Sequence, residues 1–147
     1  MTGRSEGVWF EVEERIEATP AEVFEHLIDP ARYVRWMGAE AVLEPRPGGT
    51  YRVHIPHRGV ALGEFVTVEA PHRIVFTWGW DGDDVVPLGS STVEVTLHER
   101  DGATLVRLRH SGLPDEESGR AHEGGWRKYL GRLDAVTTGG DPGPDLP

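Results

Sequence analysis

The chain of 147 residues carries 25 Asp and Glu against 15 Lys and Arg, a formal net charge of -10, which argues against a general nucleic-acid binder and against docking on an anionic membrane. It has no cysteine, so disulfide and thiolate chemistry are excluded and a cytoplasmic location fits. No apolar run approaches the roughly eighteen residues of a membrane span, the first residues have no signal-peptide core, and the length predicts one domain with its own core.

Residues 1–7 are polar and predict a flexible N-terminus. From Val8 to Ile16, VWFEVEERI is rich in β-formers and predicts a first strand. In TPAEVFEHL, Thr19 precedes Glu22 by three residues, a capping-box spacing, and Pro20 occupies the first helical position, where its missing N–H costs nothing. Val23, Phe24 and Leu27 form the apolar face of that helix. Asp29-Pro30 ends it and starts a second short helix that gathers Tyr33, Trp36 and Met37.

The period then changes to two. AEAVLEP is a strand and Pro45–Gly49 a turn. TYRVHI alternates Tyr51, Val53 and Ile55 against Arg52 and His54. A strand follows from Val60 to Glu69, and RIVFTWGW then sets Ile74, Phe76, Trp78 and Trp80 on one face. After the loop DGDDVVPLGS, STVEVTLHER presents Val93, Val95 and Leu97. Asp101-Gly102 is a two-residue hairpin signal, and ATLVRLRHS returns with Thr104, Val106, Leu108 and His110 on one face.

The last helix is predicted to start near Pro114-Asp115, with Asp115, Glu116 and Glu117 at the positive end of its dipole, and to end before Gly139 and Pro142. Trp126, Tyr129, Leu130, Leu133 and Val136 share one side of it. Three glycines, Gly124, Gly125 and Gly131, interrupt it, each costing about 1 kcal/mol against Ala. A single domain over 8–137 is expected, with 138–147 a disordered tail. A meander needs a cover for its apolar face, and only the last helix is long enough. The expected fold is α+β: a curved antiparallel sheet gripping a long C-terminal helix, closed at one end by two short helices.

The stretches IEATPAEVFEHLIDPARYVRWM, PRPGGTYRV, GEFVTVEAPHRIVFTWGW, LVRLRHSGLP and HEGGWRKYLGRLDAV together resemble bacterial activator-of-Hsp90-ATPase-like (AHSA1-type) proteins. These belong to the START/Bet v 1-like (SRPBCC) superfamily of helix-grip domains. The resemblance runs from about Val8 to Val136. It implies about seven strands around the helix, with a cavity between them. Relatives with this fold bind lipids, sterols or polyketide-like aromatics, and a minority are cyclases or aromatases. The eukaryotic activator has a further N-terminal domain that contributes to chaperone binding, for which this chain has no room.

Residue chemistry narrows the function. His54 and His57 have a spacing that a metal can use, yet they flank a turn with no third ligand nearby, so no metal site is expected. An EF-hand beginning at Asp81 would need Glu where Thr92 stands. No G-x-G-x-x-G or P-loop is present, so no cofactor is expected. His110 and Ser111 are strand neighbours facing opposite ways, and Ser90 and Ser91 lack a nucleophile elbow, so a serine hydrolase is not expected.

The aromatics carry more information. A small apolar or aromatic ligand is expected between sheet and helix, walled by Phe24, Trp36, Trp78, Trp80, Trp126, Tyr129 and Leu130, with His110 supplying polarity. The plainer reading of each tryptophan is core filling, and of His110 a buried, hydrogen-bonded side chain. A cavity of at least about 300 Å³ is the size expected of such a site. The alternative is a cyclase-, aromatase- or hydrolase-like enzyme on the same cavity. His110, Tyr129 and Glu64 are its proton-transfer candidates; Glu64 shares a face with Val66 and Val68, which points it inward, while its place near a strand end allows exposure equally. A chaperone-linked or stress-response role is a further alternative. A monomer or homodimer is expected.

Overall fold

A computed structural model describes residues 7–147. The expected flexible segment 1–7 therefore lies, except for Gly7, outside the described residues. The chain runs β1 (Val8–Ile16), α1 (Pro20–Ile28), α2 (Pro30–Tyr33), β2 (Glu40–Leu43), β3 (Thr50–Ile55), β4 (Gly59–Glu69), β5 (Arg73–Trp78), β6 (Ser91–Arg100), β7 (Ala103–Leu113) and α3 (Glu116–Thr137). The seven strands form one antiparallel sheet in the order β1-β7-β6-β5-β4-β3-β2. Only the first strand is out of sequence order. It reaches the far edge because α1 and α2 carry the chain from one end of the sheet to the other.

Local chemistry sets the boundaries. The Thr19 hydroxyl accepts from the Glu22 N–H at 3.2 Å and caps α1. The Asp29 carboxylate accepts from the Ala31 N–H at 3.1 Å and caps α2, which is one turn long, shorter than the sequence predicts. Asp115 caps α3 through the Ser118 N–H at 2.8 Å. Each cap satisfies an N–H that a helix start leaves unpaired.

The 22-residue α3 lies on the concave face of the sheet and buries Trp126, Tyr129, Leu130, Leu133 and Val136, the face that its sequence period marks out. Facing it are Ile74, Phe76 and Trp78 of β5, Val93, Val95 and Leu97 of β6, and Val106 and Leu108 of β7, all buried. This is the helix-grip arrangement. The centre of the grip is packed: the space among Leu27, Tyr33, Trp36, Phe76 and Leu130 is about 10 Å³, at most the room of a single water. Tyr51 stacks on Phe76 with centroids 4.0 Å apart, and the Tyr33 and Tyr51 hydroxyls bond each other.

One strand departs from simple alternation. Between Phe65 and Thr67 the pairing of β4 with β5 shifts register. Phe65 is buried, whereas Glu64 and Val66 are exposed. The inward placement that made Glu64 a candidate is therefore corrected: it lies on the outer surface, because the bulge breaks the face inferred from Val66 and Val68.

Candidate functional site

A cavity of about 190 Å³ opens at the end of the grip where β5 leaves the sheet. Trp78 ends β5 and Trp80 follows it, and both border the space. Gly79 fixes their placement. A Cβ there would lie 1.8 Å from the Pro87 carbonyl oxygen, so only glycine lets the 83–90 loop close against the strand end. The Trp80 N–H then donates to the Val86 carbonyl at 2.8 Å.

From α3, Ala121, His122, Gly125, Trp126, Lys128 and Tyr129 complete one wall. Ile55, His57 and Arg58 come from the end of β3 and its turn, with Met37 beside them. The Arg58 guanidinium sits 4.4 Å above the Trp80 ring. A Cβ on Gly125 would meet no atom within 4 Å, and the same holds at Gly124 and Gly131. These glycines are not needed for close helix packing, and Gly125 leaves room on the cavity side.

Of the eight ligand-binding residues expected from sequence, Trp78, Trp80, Trp126 and Tyr129 come together around this space. The other four do not line it. Phe24 is packed in the core beneath α1, and Trp36 and Leu130 border only the small central void. His110 lies fully buried, with Trp126 as its donor. The volume is also below the expected 300 Å³, because bulky indoles occupy the grip. His57, Arg58 and Lys128 escaped the sequence reading, being polar residues in a turn and on a helix flank. His122, Gly125 and Tyr129 do follow helical spacing, and that period, read with the glycine, was the available signal.

The two inner histidines form a closed hydrogen-bond network. The Trp126 indole N–H donates to His110 Nδ1 at 3.1 Å. An indole nitrogen can only donate, so the His110 proton sits on Nε2. That N–H donates to Ser91 Oγ at 2.9 Å, and the Ser91 hydroxyl donates to the Trp78 carbonyl at 2.8 Å. His122 has the other tautomer: its Nδ1–H donates to the Ser118 carbonyl at 2.8 Å, and its Nε2 accepts from Trp80 at 3.0 Å. Burial pushes His110 well below the ordinary histidine pKa, and His122, whose ring centroid is 5.1 Å away, pushes it the same way. Burial also lowers His122, against the opposing bond to Ser118.

The Ser91–His110 contact was not foreseen, and its direction disqualifies it as a nucleophile pair. A general base must accept the serine proton. Here His110 donates to the serine, and its one lone pair is held by Trp126. Tyr129 is likewise committed. Its pKa is raised by burial and by its donation to Asp145 Oδ2 at 2.8 Å, so it is a fixed donor and a poor base. Trp78 Nε1 is buried without an acceptor.

The segment after α3, for which composition predicts disorder, returns across the cavity mouth, with Pro147 on its wall. The Arg132 guanidinium donates to the Gly143 carbonyl at 2.8 Å. The Asp145 side chain is only 2% exposed and bonds His57 and Lys128 as well as Tyr129. His57 is thus engaged by Asp145, and His54 lies 3.9 Å from Glu40. Among the described residues, no three His, Cys, Asp or Glu side chains gather where a metal could be held. No helix among them is long and apolar enough to cross a membrane.

Solved structures reproduce this architecture. An AHSA1-like protein from Rhizobium etli is 48% identical, the match covering 97% of this chain and 90% of that one at a TM-score of 0.73. CalU16 from Micromonospora echinospora is 29% identical over 95% of this chain and 70% of its own, at 0.78. The Aha1 dimer from Colwellia psychrerythraea, 16% identical over 90% of this chain and 98% of its own at 0.79, shows a shared fold. No curated protein matches. The family model for the activator of Hsp90 ATPase homolog 1-like proteins matches residues 17–138. That span takes in both short helices, six of the seven strands and all of α3, and the chain belongs to this family.

Proposed function

We propose that this protein binds a small apolar or aromatic molecule in the cavity between the sheet end and α3. It acts in the cytoplasm, as a monomer or homodimer. The observation that carries the reading is the 190 Å³ space bounded by Trp78, Trp80 and Trp126, facing a helix position, Gly125, where a side chain has been omitted with nothing in its way. Indoles offer wide, polarisable walls to a flat ligand.

An enzymatic role on this cavity has less support. His110 is saturated and neutral, Tyr129 is held as a donor, and Glu64 is on the outer surface. The chaperone-linked alternative is carried by the family description and by an HSP90 activator of Plasmodium falciparum with this fold, 22% identical, and by no residue of the cavity. On the ligand-binding reading, adding the protein leaves the ATPase rate of a purified Hsp90 unchanged.

The test is a screen of small aromatic compounds by tryptophan fluorescence. Saturable quenching by at least one compound, lost in Gly125→Leu, supports the reading. Equal quenching of the wild type and Gly125→Leu by every compound defeats it.

A further inference from the structure

The mouth of this cavity already holds a carboxylate, one supplied by the chain itself. Asp145 Oδ2 accepts from the Gly38 backbone N–H and the Tyr129 hydroxyl, each at 2.8 Å. Its Oδ1 accepts from His57 Nε2 and Lys128 Nζ, each at 3.1 Å. Two donors per oxygen, the lysine cation among them, match a carboxylate in shape and charge. Burial alone would raise the Asp145 pKa. The bonds from Gly38, His57, Tyr129 and Lys128 outweigh it and hold the group at about 2.

Three of these four donors, His57, Lys128 and Tyr129, also line the apolar cavity. Pro147, two residues beyond Asp145, forms part of the same wall. A carboxylate receptor and an indole-lined pocket therefore share residues, and the tail occupies the first while partly closing the second. Further polar bonds hold the tail: Lys128 also donates to the Leu146 carbonyl, and Arg132 to the carbonyls of Pro142, Gly143 and Pro144. On release these bonds are exchanged for bonds to water, so their net cost is well below their intrinsic strength.

Resting on the ligand-binding reading above, we propose that the natural ligand is an apolar or aromatic monocarboxylic acid. Its carboxylate replaces that of Asp145 on Gly38, His57, Lys128 and Tyr129, and its body enters between Trp78, Trp80 and Trp126. The segment 139–147 acts as an internal competitor, displaced when the ligand binds. The exchange is carboxylate for carboxylate, so no proton and no net charge need move at the receptor.

The experiment titrates the full chain with 2-naphthoic acid and, as a neutral comparator of similar shape, 2-naphthalenemethanol. Both are followed by tryptophan fluorescence and by amide NMR. An internal competitor lowers apparent affinity by the fraction of time that the receptor is free. Asp145→Ala is therefore expected to tighten naphthoate binding by about fivefold or more and to change the alcohol's binding, through the opened pocket alone, by much less. Lys128→Met removes naphthoate's advantage over the alcohol. In the wild type, naphthoate raises the mobility of residues 141–147, while the Gly38 amide keeps the shift of a bonded N–H. Asp145→Asn, which keeps the side-chain shape, repeats the comparison if Asp145→Ala proves unstable.

If both compounds bind with equal affinity and neither responds to Asp145 variants, the carboxylate proposal falls and the cavity reading stands. If naphthoate binds while the tail stays as ordered as before, the displacement is refuted. If neither compound binds any variant, the ligand-binding reading falls and this inference with it.

Discussion

Gly125→Ala is expected to stabilise this protein, although it lies beside a cavity and two positions from the middle of a helix. Glycine in a helix interior costs about 1 kcal/mol against alanine, because its unfolded chain has more conformations to lose. The substitution usually repays less when the new methyl meets neighbours. Here a Cβ at 125 would have no atom within 4 Å, so nothing offsets the gain. For a domain of this size, 1 kcal/mol corresponds to a rise in Tm of about 2–4 °C. Gly131→Ala, exposed on the same helix and equally unobstructed, is expected to rise by the same amount.

Leucine separates the two sites. Its helix propensity is close to alanine's, so both Gly125→Leu and Gly131→Leu retain most of the stabilisation. Only the first places a branched side chain against the 190 Å³ cavity. Differential scanning fluorimetry with a parallel ligand titration reads both effects. Gly125→Leu should lose aromatic binding by more than about tenfold while Gly131→Leu keeps it, a difference of at least about 1.4 kcal/mol. A fall in Tm for Gly125→Ala, or unimpaired binding in Gly125→Leu, refutes the reasoning.

Stability should also depend on pH through the paired histidines. Both have folded pKa values below that of an unfolded histidine, so on acidification the unfolded chain takes up protons first. Their contribution is complete above about pH 7 and is lost as pH falls below about 6.5, at up to about 1.4 kcal/mol per pH unit for each histidine. Urea unfolding from pH 7.5 to 5.5 measures this slope, and His110→Gln should lower it; a slope unchanged by that variant contradicts the assignment. Trp126→Phe leaves His110 Nδ1 buried without a donor and is expected to cost about 1–3 kcal/mol beyond its change in packing. Gly79→Ala drives a methyl into the Pro87 carbonyl and should destabilise by about 1–3 kcal/mol, with a shift in Trp80 emission as the 83–90 loop is forced away. A Gly79→Ala protein with wild-type Tm and emission would show that this loop is not held as described.

The fold was readable because its period-two segments are regular. Tyr51, Val53 and Ile55, or Thr104, Val106, Leu108 and His110, point inward as their alternation requires. The one carboxylate with two open placements, Glu64, sits where a bulge shifts the register, and a bulge leaves no mark in an alternating run such as EFVTV. The site was only half legible for a different reason. Periodicity tells which aromatics face inward, but not which of them border empty space: Phe24, Trp36 and Trp126 share the same burial, yet only Trp126 reaches the cavity. Trp78 and Trp80 are legible because alternation puts them on one face at the end of a strand. His57, Arg58 and Lys128 look like ordinary solvated residues in sequence, and their role depends on a tail that returns over the cavity. The His110–Ser91 bond joins positions 19 residues apart on paired strands, a relation that register, not proximity in sequence, creates.

The proposed binding site is the space beside Gly125. Native mass spectrometry of the protein purified from its own host tests it most directly. The predicted result is a small-molecule mass excess on the wild type, released on denaturation and absent from Gly125→Leu prepared in the same way. Bare protein masses for both, or the same adduct on both, would contradict the claim.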